Sequence, residues 1–92
     1  MMPKPPLEFS KVEALRKHML LTTADMAALM GVSRMTYYGW VKGKPIRTAN
    51  DAAVRTMLRK LLNVMTVHSW PTPDVIVASR EQRVEKLKEL LK

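Results

Sequence analysis

The stretch LTTADMAALMGVSRMTYYGWVKGK, from Leu21 to Lys44, contains two short helical patterns separated by a glycine. Thr22 followed three residues later by Asp25 predicts a helix start, because both side chains accept hydrogen bonds from free backbone amides. Gly31 predicts the end of that helix, since glycine adopts the left-handed closing conformation without strain. The helix that opens at Thr22 is therefore expected to end at Met30.

A second helix is predicted directly after the glycine. Ser33 is a favourable residue immediately before a helix, and the pattern continues from Arg34 to about Val41. Gly43 is expected to close this helix in the same way as the first one. Two short helices joined by a glycine turn, the second flanked by basic residues, make a helix-turn-helix.

Two longer helical patterns flank this unit. Ser10 with Glu13 predicts a capping box for a first helix, with Phe9 packed on Ala14 and a buried face formed by Val12, Leu15 and Met19. Another helix is predicted from Thr48, with Asp51 in its first turn. Its apolar residues keep a helical period and are Val54, Met57, Leu58, Leu61, Leu62 and Met65.

The residues after this long helix predict a break and then a last helix. Pro71 and Pro73 interrupt the pattern, and the four apolar residues Val75–Ala78 fit either a strand or an extended linker. Ser79 with Gln82 predicts a capped helix that runs to about Leu91.

These patterns predict an all-α protein: a compact domain of four to five helices with a C-terminal helical extension. Residues 1–7 are expected to be a disordered arm, because three prolines there accompany no apolar pattern. Residues 8–66 are expected to form the helix-turn-helix domain. Residues 67–92 are expected to form the linker and the last helix.

Composition limits the classes of function. The chain has no cysteine, and His18 and His68 have no companion ligands nearby, so no metal site is predicted. No apolar segment is long enough to span a membrane and Met1–Phe9 does not resemble a secretory signal, so we expect a cytoplasmic protein. No nucleophile with a base, acid–base pair or phosphate-binding loop is apparent. We therefore expect that the protein is not an enzyme and binds no cofactor.

The charge is uneven along the chain. The net charge is +8, and residues 31–60 hold seven Lys or Arg against one Asp or Glu, whereas residues 66–92 hold five against four. A surface that faces phosphates explains such a concentration better than a charge needed only for solubility. A solvated basic face, or attraction to acidic proteins, is the alternative.

The sequence of Leu21–Lys44 resembles the lambda-repressor and Cro-like family of helix-turn-helix proteins, also called the xenobiotic-response-element type. The similarity spans about residues 8–65 and depends on the Leu-Thr opening, Ala27, Leu29, Gly31-Val32-Ser33, Thr36, Trp40 and the Lys-Gly-Lys ending at Lys44. It implies a lambda-repressor-like domain that binds double-stranded DNA. Because a domain this small usually needs a second copy for useful affinity, a homodimer is expected. The resemblance also implies that Val32, Tyr37 and Trp40 lie in the core.

The resemblance implies roles for exposed residues. The positions expected to contact base edges are Arg34, Met35, Tyr38 and Gly39. The positions expected to contact phosphates are Thr23, Thr36, Lys42, Lys44 and Arg47. Two positions depart from the family: Thr23 replaces a glutamine of longer reach, and Gly39 either permits close approach to DNA or is simply tolerated.

The last helix is a candidate dimerisation element. Its heptad-like spacing covers fewer than two heptads, too few for a coiled coil alone, so an added strand from Val75–Ala78 would assist. The residues expected at this interface are Val75, Val77, Val84, Leu87 and Leu91. The alternative is that the last helix packs back on the first and fourth helices.

Two functions are consistent with these features. The first is a sequence-specific transcriptional regulator, a repressor of the phage, plasmid or antitoxin kind, that binds an operator as a dimer. The alternative is an adaptor of phage or antitoxin type, including DNA-packaging recognition, that binds a protein partner through its last helix.

Overall fold

Six helices follow one another along residues 7–92, the part of the chain that the computed structural model describes. No strand occurs within that range. The helices are α1 (Phe9–His18), α2 (Thr23–Met30), α3 (Arg34–Val41), α4 (Thr48–Val67), α5 (Pro73–Val77) and α6 (Arg80–Leu91). The all-α class is confirmed, with one more helix than predicted.

The predicted capping contacts of α2 and α3 are all present. The Asp25 amide donates to Thr22 Oγ1 at 3.1 Å, and the Thr22 amide donates to Asp25 Oδ2 at 2.9 Å. At the start of α3, the Thr36 amide donates to Ser33 Oγ at 3.1 Å. These contacts satisfy amides that have no partner inside their helix, so both starts follow from local sequence.

Both closing glycines have the left-handed conformation, with φ of 73° at Gly31 and 104° at Gly43. After each glycine, the next amide donates to the carbonyl five residues earlier, at 3.0 Å and 2.9 Å respectively. This pairing is the Schellman motif, which closes a helix through a left-handed residue. The prediction that the two helices end in the same way is confirmed.

The predicted start of α1 is wrong. The helix begins at Phe9, with Glu8 before it and no side-chain capping bond, and Glu13 accepts hydrogen bonds from Arg16 and Tyr37 instead. Ala14, the predicted partner of Phe9, is exposed. The Phe9 ring lies 5.8 Å from the rings of both Tyr37 and Trp40, so tertiary contacts of Phe9 and Glu13 replace the local pattern.

Helix α4 begins at Thr48 as predicted, and most of its predicted apolar face lies against the core, including half-buried Met57 and Leu58. Val54, Leu61 and Val64 are buried, whereas Leu62 is exposed. Asp51 accepts from Arg55 Nε at 2.9 Å rather than from a backbone amide. Leu62 and Val64 are both apolar, so the sequence pattern does not tell which of them is buried. The contacts of α4 with α2 and α6 decide it.

Val75–Ala78 forms neither a strand nor a linker. Helix α5 covers Pro73–Val77, with the Thr72 carbonyl accepting from the amides of Val75 and Ile76 at 3.1 Å each. Proline at the first position of a helix has a preset φ and lacks an amide that would need a partner there. This starting residue outweighs the strand preference of the β-branched run that follows.

One hydrophobic core joins the first two-thirds of the chain to the last third. Trp70, Val75 and Leu87 are buried in the same cluster as Tyr37 and Trp40. Helix α6 packs on α4, so the segment predicted as an extension folds back onto the domain. Leu7 is half-buried against this cluster, and residues 1–6 of the predicted arm lie outside the described residues.

None of the helices within residues 7–92 has the length and apolar character that crossing a membrane would require.

Candidate nucleic-acid interface

Helix α3 presents one face to solvent and buries the other. Met35 is 84% exposed, Tyr38 is 49% exposed and Arg34 is exposed at the first position. Tyr37 and Trp40, on the opposite face, lie in the core. An exposed methionine and tyrosine on a short helix leave apolar area in water, an arrangement that favours a contact surface over a merely solvated face.

Three aromatic rings anchor the buried face of α3. The Tyr37 and Trp40 ring centroids are 6.4 Å apart, and Phe9 of α1 contacts both rings. Edge-to-face aromatic pairs of this kind stabilise a core beyond the area they bury. The core positions inferred from the resemblance therefore agree with the structure at Tyr37 and Trp40, while Val32 is half-buried.

A polar network that the sequence patterns did not reveal holds α3 to α1. The Tyr37 hydroxyl donates to Glu13 Oε2 at 3.0 Å. Burial, reinforced by the Glu13 carboxylate, raises the pKa of Tyr37 above its ordinary value. Burial also opposes ionisation of Glu13, but hydrogen bonds from Arg16 and Tyr37 outweigh it and lower the pKa of Glu13. The carboxylate therefore stays charged as a fixed acceptor for α3.

A groove runs from the exposed face of α3 to the start of α4. Five of the predicted contact residues line it: Met35, Thr36, Gly39, Lys44 and Arg47. Asn50, in the first turn of α4, also lines the groove and was missed, because a lone asparagine in a helical pattern has no distinguishing sequence signal. Arg34, Tyr38, Lys42 and Thr23 lie outside the groove lining.

The side chain of Thr36 keeps a free donor at this groove. Ser33 Oγ donates to Thr36 Oγ1 at 2.9 Å, and both residues are exposed. Because the threonine hydroxyl acts as the acceptor in this bond, its own hydrogen can donate to an oxygen such as that of a phosphate. Thr23, by contrast, is half-buried in the first turn of α2.

Among residues 7–92, no acidic side chain pairs with the basic residues around α3. Within residues 7–92, none of the ion pairs involves Arg34, Lys42, Lys44 or Arg47, and all four residues are exposed. Asp51, the one acid among residues 31–60, pairs with Arg55. The excess positive charge of this region is therefore uncompensated by neighbouring side chains, as a phosphate-facing surface requires.

Gly39 has a role that the sequence did not suggest. A Cβ atom built on Gly39 would lie 3.1 Å from Cδ of Lys44 and 3.8 Å from its Cγ. The stem of Lys44 therefore crosses α3 where a side chain at position 39 would stand. Glycine at this position lets the lysine chain follow the helix surface toward the groove.

Replacing Gly39 with alanine should raise the free energy of unfolding by up to about 1 kcal/mol, because alanine is the better helix former. The exposed Lys44 stem is flexible and yields the few tenths of an ångström required. Urea titration of both proteins measures the effect. The matched control, Gly31→Ala, should destabilise by about 1–2 kcal/mol because of its positive φ. Loss of stability in Gly39→Ala would show that Lys44 is held rigidly.

The residues predicted for dimerisation are dispersed by the fold. Val75 and Leu87 lie inside the core of the chain itself, so they are not available to a second subunit in this conformation. Val84 and Leu91 are half-buried, and Val77 is 85% exposed. Of the proposed heptad face, the fold buries Leu87 and packs Leu91 against the core. Dimerisation itself stays a prediction, and these five residues do not form one surface for it.

Within residues 7–92, no group of three or more His, Asp or Glu side chains is placed to hold a metal ion.

Comparison of the chain with family models, with characterised proteins and with solved structures finds no significant match, so the interface is interpreted from its own residues.

Proposed function

We propose that the protein binds double-stranded DNA sequence-specifically and regulates transcription, with a lambda-repressor-like domain in which α3 is the reading helix. One observation carries the proposal: the exposed face of α3 combines Arg34, Met35 and Tyr38 with uncompensated cations at its end. The major groove of B-DNA admits one α-helix and presents a distinct pattern for every base pair.

The proposed contact residues divide into those that contact bases and those that contact phosphates. Arg34 stands at the start of α3, where a guanidinium can donate two hydrogen bonds to one guanine. Met35 and Tyr38 offer apolar surface to a thymine methyl group. Thr36, Lys44 and Arg47 lie together at the groove beside α3, where they would hold the phosphate backbone in register. Asn50 joins these residues as a further polar contact.

Regulation as a repressor, an operator read by two copies and a cytoplasmic location belong to the same proposal. The motif and the concentrated positive charge support them through the family resemblance. A palindromic site is read by a dimer with matching symmetry, and two copies double the contacts that one small domain makes.

Selection of bound sequences from a random DNA pool at physiological salt tests the proposal. We expect a consensus that contains a guanine at the position read by Arg34. The Arg34→Ala variant should lose about 1–3 kcal/mol of discrimination at that one base pair and keep the rest of the consensus. Failure of the parent protein to enrich any consensus would contradict sequence-specific binding.

Exposed apolar residues on α5 favour the adaptor as a second candidate. Ile76 is 53% exposed and Val77 is 85% exposed, side by side on a short helix. Such residues suit contact with another protein. The selection experiment separates the two functions, because an adaptor whose DNA contact is secondary would enrich no consensus at physiological salt.

A further inference from the structure

The turn between α1 and α2 has three consecutive backbone carbonyls that each accept a hydrogen bond from a side chain outside the turn. The pairs are Trp70 Nε1 to the Met19 carbonyl at 2.9 Å, Arg83 Nη1 to the Leu20 carbonyl at 3.3 Å, and Arg16 Nη1 to the Leu21 carbonyl at 2.9 Å. Two of the three donors come from the last third of the chain. The turn is therefore held from a distance of more than fifty residues along the sequence.

This turn has a backbone conformation that its own sequence does not favour. Leu20 has a φ of 63°, in the left-handed region that leucine rarely occupies. A residue held in that region persists only where surrounding contacts specify it. The Leu21 amide closes this turn on the Arg16 carbonyl at 3.1 Å, and the side-chain bonds to the three carbonyls fix the turn further.

Arg83 links this turn to the middle of α5 and to Ala78, the residue that follows α5. Besides the Leu20 carbonyl, its guanidinium donates to the Val75 carbonyl at 3.0 Å and to the Ala78 carbonyl at 3.2 Å. The planar fork of an arginine serves several acceptors at once, which a lysine ammonium on a flexible stem does less specifically. One side chain thus fixes three segments of backbone relative to each other.

A second link joins the first turn of α6 to the first turn of α2. Arg80 Nη2 donates to Asp25 Oδ1 at 2.7 Å and Arg80 Nε donates to Oδ2 at 3.3 Å. Asp25 is 5% exposed and also caps α2 through the Thr22 amide. Burial opposes ionisation of Asp25, but the bonds from Arg80 and Thr22 outweigh it and lower its pKa.

From these contacts we propose that Trp70, Arg80 and Arg83 form a clasp that sets the direction of α2, and through it the orientation of α3. Arg83 is the central positioning residue of this clasp. The inference rests on the proposed function, because it makes docking of α6 and DNA binding by α3 two coupled events. Coupling of binding free energies is reciprocal, so DNA must then stabilise the docked α6.

Point variants in the full chain test the clasp. Arg83→Met removes all three bonds, Arg83→Lys keeps the charge but not the fork, and Lys88→Met is the control, losing the same charge from an exposed position of α6. Affinity for the selected DNA site is measured at a temperature where circular dichroism shows each variant fully folded. Loss of stability alone does not change affinity under that condition.

We expect both Arg83 variants to weaken specific binding roughly 3- to 30-fold, and Lys88→Met to change it less than about twofold. In the parent protein, DNA should slow hydrogen exchange of the α6 amides, and this effect should shrink in Arg83→Met. Parental affinity in folded Arg83→Met, or α6 exchange indifferent to DNA, would overturn the coupling.

A DNA-free measurement separates this inference from the proposed function. In the unliganded protein, Arg83→Lys should shift the amide resonances of α2 and α3 relative to those of α4. If the parent enriches no DNA sequence but these shifts occur, the clasp holds and the DNA-binding function fails. Resonances of α2 and α3 that stay unchanged in both Arg83 variants would overturn the clasp, whatever the DNA result.

Discussion

Replacing Trp70 with alanine should lower the free energy of unfolding by about 3–5 kcal/mol, the cost of truncating a buried tryptophan. The ring is buried in the common core, and its Nε1 donates to the Met19 carbonyl at 2.9 Å. Small domains have only about 5–15 kcal/mol of stability, so this loss should unfold a measurable fraction of the protein. The helix-turn-helix should melt together with the last third of the chain.

Chemical denaturation followed by circular dichroism measures this loss, with Val77→Ala as the control. Val77 lies on the same part of the chain but is 85% exposed, so its truncation should cost less than about 0.5 kcal/mol. A small cost for Trp70→Ala, or two separate unfolding transitions, would show that residues 67–92 form an independent extension after all.

Replacing Lys42, Lys44 and Arg47 together with glutamine should weaken DNA binding about 100-fold near physiological salt, equally for all sequences. The three residues are exposed and form no ion pair within residues 7–92, so removing their charges leaves no acid unpaired. Each cation that neutralises a phosphate releases counterions, so the slope of log affinity against log salt should fall by about three.

Salt titration of binding measures both effects, and a variant with matched charge is the control. Changing Lys86, Lys88 and Lys92 to glutamine removes the same net charge from exposed positions of the last helix and its end. We expect a much smaller change in the salt slope. Equal losses in the two triple variants would mean that only overall charge attracts DNA, and the interface at α3 would be wrong.

The local patterns predicted the helix-turn-helix segment closely because its ends are decided within a few residues. Thr22, Ser33 and Ser79 accept bonds from amides three residues ahead, and Gly31 and Gly43 close helices through their own backbone freedom. Such contacts join groups only a few residues apart, so a short window of sequence is enough to find them where no tertiary contact competes.

The same reasoning failed at Ser10 and Glu13, where an equally good capping pattern is present. The Glu13 carboxylate accepts hydrogen bonds from Arg16 and Tyr37 instead of capping the helix. Phe9 contacts two core rings and is the first residue of α1. Tyr37 lies twenty-four residues away, so a pattern within one helix contains no sign of it.

The candidate interface likewise has one part that the sequence predicted and one part that only the fold determines. Exposure of Arg34, Met35 and Tyr38 opposite buried Tyr37 follows from helical periodicity and a resemblance in one segment. The contribution of Asn50 does not, because the fold alone places the first turn of α4 beside α3. The contact of Gly39 with Lys44, by contrast, belongs to the local closure of α3 at Gly43.

The segment Leu21–Lys44 has its helices, turn and exposed face determined by its own residues. The tertiary structure alone decided what holds that segment in place: Glu13 and Phe9 from α1, and Trp70, Arg80 and Arg83 from the last third of the chain. Capping and periodicity act over a few residues, whereas burial and side-chain bonds to distant carbonyls depend on which segments meet. For that reason the residues predicted to bind a second subunit include two that are core residues of this one.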